Sequence, residues 1–187
     1  MLIIVFQPYG YFSLSGMPAE ELRGQIIAAS LIFGSLVSSL TDALKSADSY
    51  AQSILVIENF FTGLHNVHNT GANQLQPIVD TIIQAKGQVT VNKIISLTGY
   101  SERRLERLFQ QAVGTSPNQY LQIVRLHHFL SLIRSQNRAD SFTVAGLESG
   151  YYDQSHLIRN FKNMTGLTPT QYLSTAGALT VNLVTVN

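Results

Sequence analysis

Ser101 to Leu121 reads SERRLERLFQQAVGTSPNQYL, and Asp153 to Leu173 reads DQSHLIRNFKNMTGLTPTQYL. Aligned at an offset of 52 residues, 8 of the 21 positions are identical. Leu105 matches Leu157, Arg107 matches Arg159, Phe109 matches Phe161, and Gly114 matches Gly166. Pro117, Gln119, Tyr120 and Leu121 match Pro169, Gln171, Tyr172 and Leu173. The pairs Gly99-Tyr100 and Gly150-Tyr151 stand just upstream, one residue out of step. Identities spaced in this way mark an internal repeat.

Each copy carries one physical design. A short helix (Asn92 to Leu97; Val144 to Ser149) ends at a glycine, which supplies the left-handed conformation of a sharp turn. Ser101 or Asp153 then caps a second helix by accepting backbone N–H bonds. In the first copy Leu105, Leu108, Phe109 and Ala112 fall on one face. In the second Leu157, Phe161 and Met164 do so, with Asn160 in the remaining apolar position. Gly114 or Gly166 closes the helix, and Pro117 or Pro169 opens the next. Helix, glycine turn and capped second helix make up the helix-turn-helix plan.

At 100° per residue the face opposite the buried stripe carries Arg103, Arg107 and Gln110 in the first copy, with Glu106 beside them. In the second it carries Ser155, Arg159 and Lys162, with Ile158 beside them. These residue types suit a major groove: arginine forks onto guanine, serine and glutamine meet bases or phosphate, and isoleucine meets a thymine methyl. A solvated face is the plain alternative, and arginine at the matching positions 107 and 159 argues against it. Between the copies, Pro117 to Gln136 has helical periodicity. Its twenty residues rise ~30 Å, close to the ~34 Å between successive major grooves on one DNA face.

Outward from the repeat the signals weaken. Residues 1–14 alternate apolar and small residues and read as one or two strands. Pro18 before Ala19-Glu20-Glu21 reads as a helix start. Leu36, Leu40, Leu44 and Ala47 recur at helical spacing, as do Ile54, Leu55 and Phe61. Thr62 to Gln76 is polar and glycine/asparagine-rich, the best candidate linker. The tail after Leu173 shows no period.

Composition narrows the function. The 187 residues are 45% hydrophobic and 12% charged, which suits a packed globule. There is no cysteine, hence no disulfide, thiolate metal site or thiol nucleophile, in keeping with a reducing cytoplasm. The apolar stretches are interrupted before membrane-spanning length, and the N-terminus lacks a basic leader and cleavage site. Residues 1–89 hold three Lys/Arg against six Asp/Glu; residues 90–187 hold nine against five. A basic C-terminal half favours an anionic partner there. His65 and His68 lie in a polar stretch without a third ligand, and His127 and His128 point about 100° apart on a helix. His156 is placed to pack or to meet phosphate. No phosphate loop or nucleophile signature occurs, so no enzyme activity, cofactor or metal is expected.

At GYSERRLERLFQQAVGTSPNQYL and GYYDQSHLIRNFKNMTGLTPTQYL the chain resembles the DNA-binding domain of the AraC/XylS family of bacterial transcriptional activators. The resemblance covers about Leu75 to Leu173. It implies a mainly α fold, with two helix-turn-helix subdomains joined by a long linker helix and a short β/α N-terminal remnant. The corresponding expected boundaries are 1–70 for the closing part of a sensor domain, 75–175 for the DNA-binding domain and 176–187 for a tail. Within the second, the units fall at about 90–113 and 142–165, with the linker helix at about 117–136. Positions matching the family's base and phosphate contacts are Arg103, Glu106, Arg107, Gln154, Ser155, Ile158 and Arg159. The implied partners are duplex DNA and RNA polymerase, with a homodimer and a small-molecule effector admissible. The pattern FQPYGYFSL…GMPAEELRGQ resembles the end of a sensor domain whose earlier barrel strands are absent, so a truncated regulator with an incomplete effector pocket is expected. Some repair proteins fuse this domain to an alkyl-transfer activity, but that needs a cysteine. The remaining alternative is a helical protein-interaction module that has lost DNA binding.

The chain departs from the family where alanine usually precedes the turn glycine by four residues: here stand Ile95 and Gly146. Ile95 is expected to push the first two helices apart, and Gly146 to weaken its helix by ~1 kcal/mol. Glu102 and Glu106 place negative charge near phosphate, so the first unit is expected to read DNA less well than the second.

Overall fold

The computed structural model describes residues 3–67, 74–135 and 142–175, apart from the side chains of residues 65–67, 134, 135 and 175. Its helices are α1 (Gly10–Ser15), α2 (Ser30–Phe33), α3 (Leu36–Lys45), α4 (Tyr50–Val67), α5 (Gln76–Gln84), α6 (Val91–Thr98), α7 (Glu102–Val113), α8 (Pro117–Ser135), α9 (Phe142–Glu148), α10 (Gln154–Thr165) and α11 (Pro169–Thr175). The fold is mainly α, as the resemblance implies. Two compact units divide the chain: residues 6–79 with 100–116, and residues 1–5 with 80–99 and 117–187. The division passes through α5 and between α6 and α7.

In the first unit α7 lies against α1 and against a 3-10 turn at Ala19–Leu22, while α1 meets α4. Leu105 and Phe109 of α7 are fully buried, and Leu14 of α1 and Leu64 of α4 are buried as well. Phe61 stacks edge-on against Phe6 (5.3 Å) and Phe60 (5.2 Å), the arrangement aromatic quadrupoles favour.

In the second unit the core is built on α8. Leu126, Phe129, Leu130 and Ile133 pack with Ala145, Tyr151, Leu157 and Phe161. Phe129 sits at the centre, its ring 6.1 Å from Phe161 and 6.4 Å from Tyr151. Burying each such side chain is worth ~1.5–3 kcal/mol. The turn after α5 closes against α8. A Cβ at Gly87, whose φ is +71°, would lie 2.5 Å from the Leu121 carbonyl oxygen and 2.7 Å from the Arg125 nitrogen. Only glycine permits that approach. The Arg125 guanidinium donates from Nη2 to the Gly87 carbonyl at 2.9 Å.

Three sequence expectations need correction. The strands expected within residues 1–14 do not form: residues 3–7 are irregular, α1 follows, and no strand occurs among the described residues. A strand needs a neighbour for its N–H and C=O groups, and α1 satisfies these groups internally. Pro18 precedes a short 3-10 turn rather than an α-helix. The candidate linker Thr62 to Gln76 begins too early, because α4 continues to Val67. Buried Leu64 anchors that last turn, and Gly63 is tolerated within it. Gly146 of α9 also has a close neighbour. An added Cβ there would stand 3.0 Å from Leu157 Cδ2, so the missing side chain gives α9 close contact with the core of α10. The expectations for His68 and the side chain of His65 fall outside the described residues.

Candidate nucleic-acid interface

The two repeated helices begin alike. Ser101 Oγ accepts from the Arg104 backbone N–H at 3.3 Å, and Asp153 Oδ1 accepts from that of His156 at 2.7 Å. These caps satisfy donors that the first helical turn leaves unpaired. Gly114 and Gly166 close the helices in the left-handed conformation.

Burial fixes which side faces solvent. In α7, Leu105, Phe109 and Ala112 are buried, so Arg103 and Arg107 are exposed while Glu106 and Gln110 are half-buried. In α10, Leu157 and Phe161 are fully buried, and Gln154, Ser155, Ile158, Arg159 and Lys162 are all exposed. All nine residues expected at the interface therefore keep solvent access. Neighbouring Arg104 is engaged differently. Its guanidinium lies 4.0 Å from the Tyr100 ring centre and donates to Gln74 Oε1 at 3.1 Å. It is tied to its own unit, whereas Arg103 and Arg107 engage no partner among the described residues.

Behind α10 lies a polar arrangement that the sequence reading did not foresee. The Tyr151 hydroxyl donates to Asn160 Oδ1 at 3.2 Å, and Asn160 Nδ2 donates to Gln122 Oε1 at 3.1 Å. Burial pushes the Tyr151 hydroxyl up to about 12, against the opposing effect of the Arg125 charge. His156 rests edge-on against the Tyr151 ring at 5.5 Å, in keeping with packing, one of the two roles expected of it. From the turn after α5, Gln88 Nε2 donates to the Glu148 carbonyl at the end of α9 at 2.8 Å. Beside that turn, burial and Lys86 lower the His128 pKa below its usual 6.5, with Glu148 opposing. The only sequence signal for these contacts was a polar residue, Asn160, in an apolar stripe.

A family model described as a helix-turn-helix domain matches residues 95–175. In that stretch the chain is similar to helix-turn-helix domains of the AraC type. Among relatives, an uncharacterized HTH-type transcriptional regulator of Haemophilus influenzae is 30% identical over 95 residues, 51% of this chain and 31% of that protein. The HTH-type transcriptional regulator YbfI of Bacillus subtilis is 36% identical over 69 residues, 37% of this chain and 24% of that protein. The multiple antibiotic resistance protein MarA of Escherichia coli is 26% identical over 108 residues, 57% of this chain and 84% of MarA. The chain thus spans less than a third of the length of the first two relatives. No solved structure matches it.

The AraC-type domain match starts inside α6, so the Gly87–Gln88 turn that bonds to α8 and α9 lies upstream of it. Among the described residues no helix is long and apolar enough to cross a membrane. No group of three or more His, Asp or Glu placed to hold a metal occurs among them either.

Proposed function

We propose that this chain is a transcription regulator that binds duplex DNA, with α7 and α10 each set into a major groove. One observation carries the reading. Two helices of the same capped design, 52 residues apart, expose Arg107 and Arg159 at matching positions opposite the buried Leu105/Phe109 and Leu157/Phe161. In this reading Arg107 and Arg159 fork onto guanine edges, and Ile158 meets a thymine methyl. Glu106 accepts from a cytosine amino group. Arg103, Gln110, Gln154, Ser155 and Lys162 bond bases or phosphates.

The relatives named as transcriptional regulators support this reading, and so does the excess of basic residues after residue 89. The protein then acts in the bacterial cytoplasm and contacts RNA polymerase once bound. A second copy of the chain and a small-molecule effector are further partners the reading admits; no catalytic step belongs to it. Titrating duplex binding against salt tests the proposal, because phosphate contacts make affinity fall steeply with ionic strength. Arg107→Ala and Arg159→Ala should each weaken the specific site by about 1–3 kcal/mol and relax its base preference. Unchanged affinity in both variants would sink the groove-facing assignment.

A further inference from the structure

At the repeat position where α7 has Leu108, α10 has Asn160. A half-buried amide in a packed stripe is costly unless its hydrogen bonds are made. Here the Tyr151 hydroxyl supplies a donor and Gln122 an acceptor, so the amide joins three places in the second unit: α8, the turn before α10, and α10 itself. Tyr151 is only 3% exposed. It is fixed by ring contacts with Phe129 and His156, so its hydroxyl is a rigid reference point.

We infer that Asn160 is a positioning residue that sets the rotation of α10 about its own axis, and with it the directions of Ser155, Arg159 and Lys162. Apolar contacts between helices tolerate small rotations because dispersion is non-directional, whereas hydrogen bonds weaken steeply off-axis. Leu157 and Phe161 hold α10 down, and the Tyr151–Asn160–Gln122 chain fixes its angle. Asn160 adjoins Arg159 along the backbone, so a rotation released at one displaces the other. This inference rests on the reading that α10 enters DNA.

The test uses the full chain and the duplex that it selects from a random library, together with every single-base variant of that duplex. Asn160→Leu restores the apolar residue found at position 108 and should keep the fold. Gln122→Leu removes the same link without changing α10. Each should lower affinity for the selected duplex about tenfold and flatten preference at the base pairs that Arg159→Ala also flattens. Affinity for unrelated duplex and the salt slope should stay at wild-type values, and the double variant should be no worse than Asn160→Leu. Wild-type base preference in both single variants overturns the inference, as does an equal loss on selected and unrelated duplex. If Arg159→Ala itself leaves base preference unchanged, the DNA reading of α10 fails and the inference falls with it.

Discussion

α7 and α10 are copies of one design set in different surroundings. Both are twelve-residue helices, capped by a side-chain oxygen at the start and a left-handed glycine at the end. Both bury a leucine and a phenylalanine completely at the same two positions. Yet α7 beds these residues among α1 and the Ala19–Leu22 turn, a segment outside the repeat, whereas α10 beds them among α8, α9 and α11. The repeat therefore specifies a helix and its buried face, but not the surface that face meets. That choice rests on a few unmatched residues, such as Asn160 for Leu108 and the segment around Ala19.

Removing the shared aromatic sharpens the comparison most. Phe109→Ala and Phe161→Ala should each cost about 3–5 kcal/mol, measured by urea unfolding. Hydrogen exchange should then separate them: Phe109→Ala loosens the amides of α1, and Phe161→Ala those of α9 and α11. If both variants loosen the same helices, the contrast in surroundings is wrong. A smaller effect should appear at alkaline pH and belongs to the α10 side. The Tyr151 hydroxyl lies near 12 in the folded chain and near 10 when unfolded. The native state thus keeps the proton longer. Stability is fully present below about pH 10 and falls by about 2–3 kcal/mol as pH rises through 12. Tyr151→Phe should flatten that decline, and an unaltered slope would assign it to other groups.

The repeated design was legible because its signals are local. Ser101 and Asp153 cap helices three residues away, and the apolar stripe needs only a period of 3.6. The extent of α8 follows from the same period and from Pro117 at its first turn. What stayed hidden depends on residues far apart in sequence. GYFSLS alternates like a strand, yet forms α1 because no strand among the described residues pairs with it and α4 and α7 pack on it. The nearness of Leu157 to Gly146, and of Gln122 and Tyr151 to Asn160, could not be read from spacing alone. Among the arginines of α7, the helical wheel placed Arg103 and Arg107 outward. It could not show that Arg104 is held by Gln74, thirty positions earlier.

The smallest expected difference lies in the glycines that end the two helices. Gly114 and Gly166 have φ values of +79° and +76°, so alanine at either carries the left-handed strain of roughly 1–2 kcal/mol. Their neighbours differ. A Cβ at Gly114 would stand 3.1 Å from the Ala19 carbonyl oxygen, while one at Gly166 would meet nothing within 4 Å. Backbone yields less readily than a flexible side chain, so the Ala19–Leu22 turn must shift to admit it. Gly166→Ala should therefore cost about 1 kcal/mol and Gly114→Ala about 2, both read from urea midpoints at constant slope. Equal costs would mean that the Ala19 segment does not press on the end of α7. A larger cost at Gly114, accompanied by faster exchange at Leu22 and Arg23, would trace the bedding of α7 to that one turn.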